Sequence, residues 1–174
     1  MNAHQLADKH GMMDRAEVDL LQACARQLPA NPVVVNIGAG AGTSVVAILE
    51  VAPTAFIFSI DPKAVAEEAQ ALSGAGLDAR RVVRLLGKSQ AVGAYWPFPV
   101  DLCFVDGNHS DEAVTGDITV WKRQVRPGGF MLFHDYHHYN LPGLSPIVDK
   151  AMGDCERVGE ARFLVAFRIT EGSK

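Results

Sequence analysis

Two short stretches late in the chain concentrate the side chains best suited to chemistry: Asp106-Gly-Asn-His109 and His134-Asp135-Tyr136-His137-His138-Tyr139. Carboxylates such as Asp106 and Asp135 can hold a hard divalent cation. An imidazole such as His109 or His134 titrates near neutral pH and can take a proton from a hydroxyl. A third stretch, Gly38-Ala39-Gly40-Ala41-Gly42 followed by Thr43 and Ser44, suits binding more than catalysis. Glycine lets a ligand approach the backbone closely, and the bare amides of a following helix favour negative charge. A pyrophosphate or an amino-acid carboxylate would both suit. The spacing is GxGxG and misses the GxGxxG dinucleotide fingerprint by one residue. Asp61 stands about twenty residues beyond the turn, where a carboxylate can accept both hydroxyls of an adenosine ribose. Because Pro62 follows it, Asp61 also reads as a helix cap.

These residues need elements to position them. Asp14, with Glu17 three residues on, forms a capping-box pair at the start of a helix whose apolar residues run to Leu28 and stop at Pro29. Residues 33–37 are a β-branched run, apolar on both faces, as expected for a strand buried in a parallel sheet. A helix over 43–51, strand 55–60, helix 63–74, strand 81–86, strand 101–105, helix 111–125, strand 130–133 and helix 147–152 continue the alternation. Residues 157–160 and 163–169 read as two closing strands with no helix between them. The pattern predicts an α/β fold: a Rossmann-like three-layer αβα sandwich around a seven-stranded, mostly parallel sheet with a C-terminal antiparallel hairpin. The organisation expected is a single domain over 1–174, with an N-terminal helical segment to residue 30 and the core from residue 31.

Composition narrows the function classes. The chain has 174 residues, 48% apolar and 21% charged, with 16 basic against 20 acidic residues and a formal net charge of −4. Nucleic-acid binding needs a concentrated basic face, and the only basic concentration is Arg80, Arg81 and Arg84, read as a solvated connection. No nucleic-acid partner is expected. Three scattered cysteines without a CxxC pair predict neither disulfide nor zinc site, and point to a reducing compartment. Met1 to Met13 is polar and no run approaches about 20 apolar residues, so neither a signal peptide nor a membrane span is expected, and the location expected is cytoplasmic. Tyr95-Trp96-Pro97-Phe98 reads as packing for its loop, and His137 and His138 as substrate-loop residues at most.

The segment Asp101-Leu-Cys-Phe-Val-Asp106-Gly-Asn-His109 and the later Pro127-Gly128-Gly129…His134-Asp135-Tyr136 resemble the class I S-adenosylmethionine-dependent methyltransferases. The resemblance is to the bacterial branch with "FVDG-x-H" and "PGG…HDY" strand ends, related to catechol-type and macrolide-sugar O-methyltransferases and cephalosporin-hydroxylase-like proteins. It implies S-adenosylmethionine as cofactor, held at its methionine end by Gly38, Ala39, Gly40 and Gly42 with Thr43 or Ser44 near its carboxylate. Asp61 would take the ribose, the Gly87-Lys88-Ser89 loop would border the adenine, and Asp106 would lie beside the methionine amine or a metal. Relatives commonly carry an acid where this chain has Asn36, which can organise the turn without charge. Metal-using relatives imply Mg²⁺ or another divalent cation on Asp106, His134 and Asp135. Because nitrogen is a poor match for Mg²⁺, a softer ion is the alternative. The rival mechanism is general-base catalysis by His109 or His134. The acceptor implied is a hydroxyl of a small molecule such as a sugar or natural product. Two other readings stay open: a nicotinamide-dependent oxidoreductase and a non-catalytic nucleoside-binding module. With no insertion to form a lid, an open site or one completed in a homodimer is expected.

Overall fold

The computed structural model describes residues 1–173. One sheet contains β1 (Val33–Ile37), β2 (Phe56–Asp61), β3 (Val82–Leu86), β4 (Val100–Val105), β5 (Val125–Phe133), β6 (Glu156–Ala161) and β7 (Leu164–Arg168). Their order across the sheet is β3-β2-β1-β4-β5-β7-β6. β1 to β5 run parallel, and β7 enters antiparallel to both β5 and β6. The expected closing hairpin and the αβα layering are both present.

The central strands are buried on both sides, since successive side chains of a strand point to opposite faces and helices cover both. Val34, Leu102, Phe104, Phe130 and Leu132 face one layer of helices: α1 (Ala3–His10), α2 (Arg15–Ala25), α3 (Thr43–Val51) and α4 (Ala66–Gly74). Their neighbours Val35, Cys103, Val105, Met131 and Phe133 face the other layer, which holds α5 (Ser89–Ala94), α6 (Asp111–Trp121) and α7 (Leu144–Met152). β4, the central strand, is buried at every position. Among the described residues no helix is long and apolar enough to cross a membrane.

Several boundaries differ from the sequence expectation. α1 lies in the stretch read only as polar. An Asn2–Gln5 capping box starts it, Gly11 at φ 64° ends it, and Ala3, Leu6 and Ala7 are its buried stripe. Three small or medium apolar residues are too few for periodicity to reveal a helix of this length. α5 occupies what reads as loop beyond Lys88. Its Gly93 is a packing residue, since a Cβ there would meet the indole of Trp121 at 2.9 Å. α6 ends at Trp121, four residues early, and β5 starts at Val125, so Pro127-Gly128-Gly129 belongs to the strand. Gly128 and Gly129 exchange backbone hydrogen bonds with Ile169, which extends the ladder through a segment whose composition reads as a turn.

Candidate active site

The turn after β1 fits tightly against the end of β4. Gly38 has φ 90°, and a Cβ on it would overlap the carbonyl group of Asp106. Gly42 has φ 80°, with Glu68 Cα 2.8 Å from the place a Cβ would take. Both positions therefore require glycine for backbone and for space. Asn36, wholly buried, organises the turn from behind. Its Nδ2 donates to Gly38 O at 2.7 Å and Ser59 Oγ at 3.3 Å, and its Oδ1 accepts from Ser44 Oγ at 2.8 Å. Ser59 in turn donates to the buried Glu68, whose second oxygen lies 2.8 Å from Arg84 Nε. β1 thus carries no negative charge at this position, and a paired carboxylate sits one side chain further back.

Asp61, at the end of β2, braces the same turn. Its Oδ2 accepts from Ala39 N at 3.1 Å and its Oδ1 from Lys63 N at 2.8 Å. Each carboxylate oxygen offers two lone pairs, so capacity remains for further donors.

A cavity of about 1090 Å³ opens at the carboxyl edge of the sheet, beyond the ~300–1,000 Å³ of ordinary ligand pockets. Gly38, Gly40, Asp61, Lys88, Ser89, Asp106, His109, His134 and Asp135 line it together. Asn36, Ala39, Gly42, Thr43 and Ser44 do not. They lie buried behind the turn or in the first turn of α3. Among the described residues Thr43 Oγ1 has no hydrogen-bond partner.

At one end of the cavity two carboxylates and two imidazoles converge. Asp106 follows β4, its amide donating to Ile37 O at 2.9 Å, and His134 follows β5, its amide donating to Val105 O at 3.0 Å. His134 Nδ1 stands 3.3 Å from Asp106 Oδ1 and 3.4 Å from Asp135 Oδ2. His109 Nε2 lies 3.0 Å from Asp135 Oδ2 and 3.9 Å from Asp106 Oδ1. Neighbouring residues in an extended strand would point apart. His134 and Asp135 reach one site because Asp135 leaves the strand with φ 58°, a left-handed conformation that Asp tolerates better than most residues. The ligand atoms of Asp106, His134 and Asp135 all fall within 4.8 Å of one another.

The electrostatics follow from this crowding. Burial opposes charge on His134, but the carboxylates of Asp106, Asp135 and Glu17 outweigh it and push the imidazole up to about 12. The adjacent His134 imidazole holds Asp135 below the usual carboxylate range against the opposing effect of burial. Even so, His134 Nδ1 has no well-directed hydrogen bond to either carboxylate. Three acids around one ring leave net negative charge, and the pocket they form attracts a cation.

Two residues of this region escaped the sequence reading in its functional sense. Glu17 was visible as a cap, yet its carboxylate also reaches His134 Nε2, at 3.4 Å. Asp117 lines the cavity from α6 at 2% exposure and accepts a hydrogen bond from Ser89 Oγ. Burial pushes its carboxyl up to about 6, and the Ser89 bond works in the opposite direction. The signal was there: Asp117 falls between Val114, Ile118 and Trp121 on the apolar face of α6. His137 and His138 lie outside the main cavity, in a smaller one of about 340 Å³ with Tyr139, Pro142, Ser145, Pro146 and Asp149. Trp96 packs edge-on against Phe58 and Trp121, at centroid distances of 4.8 and 5.3 Å.

A parallel sheet with one inserted antiparallel strand, a glycine turn after β1 and an acid after β2 is the architecture of the class I S-adenosylmethionine-dependent methyltransferases. It differs from the all-parallel 3-2-1-4-5-6 sheet of nicotinamide dehydrogenases. The family model described as "Methyltransferase domain" matches residues 35–136, and the chain belongs to that family. Solved structures share the fold. A protein of Corynebacterium glutamicum superposes with a TM-score of 0.75 at 18% identity, over 97% of this chain and 88% of its own. The methyltransferase MycE of the mycinamycin biosynthetic pathway, in complex with Mg, S-adenosylhomocysteine and mycinamycin VI, gives 0.70 at 17% identity, over 99% of this chain and 56% of its own. An rRNA methylase of Streptococcus thermophilus gives 0.68 at 13% identity, over 92% of this chain and 99% of its own. In sequence, an uncharacterised protein of Acanthamoeba polyphaga mimivirus is 33% identical over 61 residues, which cover 34% of this chain and 28% of that protein's length.

Proposed function

We propose that this chain transfers the methyl group of S-adenosylmethionine to a hydroxyl of a small molecule such as a sugar or natural product. The observation that carries the reading is the convergence of His109, Asp106 and Asp135 at one end of a cavity whose other walls are Gly38, Gly40 and Asp61. The glycine-turn backbone would hold the methionine end, Asp61 the ribose, and the Lys88–Ser89 segment the adenine. Asn36, Ala39, Gly42, Thr43 and Ser44 would act through the shape of the turn. When bound, the cofactor supplies an already activated methyl group, so the protein has mainly to align the acceptor and remove its proton. Asp135 takes one ring nitrogen of His109 and leaves the other to receive that proton, the usual division of labour when a carboxylate orients a base.

The donor set of Asp106, His134 and Asp135, with a buried Nδ1 aimed between two carboxylates and without a directed bond among the described residues, fits a divalent cation. Such an ion would polarise the acceptor hydroxyl. One nitrogen among oxygens favours Mn²⁺ over Mg²⁺.

A small acceptor is preferred to nucleic acid because each arginine of the one basic cluster already has a partner within the chain. Arg80 pairs with Asp78, Arg84 with buried Glu68, and Arg81 stacks on Phe56 and donates to Thr54 O. The test is calorimetry with S-adenosylmethionine, S-adenosylhomocysteine and NAD, each with and without Mg²⁺ or Mn²⁺, followed by methyl transfer to hydroxyl acceptors. Binding of the first two alone and transfer to oxygen are expected. Preference for NAD, or transfer to an rRNA fragment alone, overturns the reading.

A further inference from the structure

We infer that Glu17 is a positioning residue of the catalytic crevice: it holds His134 through Nε2 and so turns Nδ1 toward Asp106 and Asp135 as a ligand. The inference rests on the cation reading given above. Glu17 stands on α2, outside the segment that the family model matches. Its side chain is 2% exposed and has three partners on three separate segments. Oε2 accepts from Asp14 N at 2.5 Å and lies 3.4 Å from His134 Nε2, and Oε1 accepts from Phe163 N at 2.9 Å.

A capping-box glutamate needs only the first of these contacts. Burying a carboxylate is costly unless donors surround it, and here two amides and a ring nitrogen do so. Because an ionised carboxylate can only accept, the ring proton on that side must reside on Nε2. Nδ1 then faces the crevice, 3.3 and 3.4 Å from two carboxylate oxygens with no directed bond to either, and a bound cation would take the place of the proton on that nitrogen. Carboxylate-to-histidine support of this kind fixes both ring orientation and the coordinating nitrogen of metal-binding histidines. The capping box at the start of α2 thus doubles as the outer support of a site at the end of β5.

The test is calorimetric titration of the intact chain with Mn²⁺ alone, for the wild type, Glu17→Ala, Glu17→Gln and Asp14→Ala. Asp14→Ala removes the same helix cap without touching His134, and serves as the structural control. Glu17→Ala is expected to weaken Mn²⁺ binding by about 10–100-fold, Glu17→Gln by less, and Asp14→Ala not at all. With ¹⁵N-histidine-labelled protein, the nitrogen coupling to bound Mn²⁺ should be lost in His134→Ala and should diminish in Glu17→Ala. Wild-type affinity in Glu17→Ala, or an equal loss in Asp14→Ala, overturns the positioning role and leaves the cation reading standing. A wild type that ignores Mn²⁺ overturns both.

Discussion

Replacing Asp117 by Asn should make the protein's stability respond differently to pH, and the structure sets the size of the change. The Asp117 carboxyl sits in the wall of the cavity, and burial raises it from 3.8 to about 6. A folded-state pKa above the unfolded value means that the folded chain binds the proton more tightly. Stability from this group is therefore fully present below pH 4 and is lost as pH rises through 6. Two pKa units correspond to about 3 kcal/mol. Asn is nearly isosteric, cannot ionise, and still offers Oδ1 to the Ser89 hydroxyl, so it carries no such penalty. Urea unfolding followed by fluorescence of buried Trp121 and of half-buried Trp96, which packs against it, measures the difference. Between pH 4 and pH 7.5 the variant should gain about 3 kcal/mol on the wild type. All other titrating groups are common to the two proteins and cancel. A constant gap across that range would refute the claim that Asp117 is charged at a desolvation cost.

Gly38→Ala should be the most damaging small substitution in the turn, because its Cβ collides with the Asp106 carbonyl and its φ is left-handed. A loss of about 2–6 kcal/mol in denaturant midpoint analysis is expected, and a loss under 1 kcal/mol would mean that the turn can slide off β4. Asp61→Ala should weaken S-adenosylhomocysteine binding by about ten- to a hundredfold, the value of a charge-assisted hydrogen bond; calorimetry showing an unchanged affinity removes Asp61 from the ribose site. His109→Ala should slow methyl transfer by about 10²–10⁴-fold while leaving S-adenosylhomocysteine affinity intact, and a retained rate would shift the base to another group.

Much of this architecture is written locally. The run of residues 33–37 is β1 itself, the glycines at 38, 40 and 42 and the acids at 61, 106 and 135 lie at or just beyond strand ends, and period-2 and period-3.6 patterns locate strand ends from sequence. The Asp14–Glu17 cap is equally legible, since capping is set by four consecutive residues. Reading failed where composition and context disagreed. Pro127-Gly128-Gly129 has the residues of a turn, yet pairing with Ile169 draws it into β5, and α5 and α1 are too short for their patterns to rise above chance.

Sequence by itself determined the succession of strands and of the longer helices, a glycine-rich turn after β1, and the two acids at the ends of β4 and β5. Only the tertiary structure decided what surrounds them: Glu17 beneath His134, Asp117 beside Ser89, and Asp135 swung back by a positive φ to join His134. The physical reason is distance along the chain. Periodicity and capping act over a few residues, whereas the potential at His134 is set by charges from residues 17, 106 and 135, which meet only once the sheet has closed.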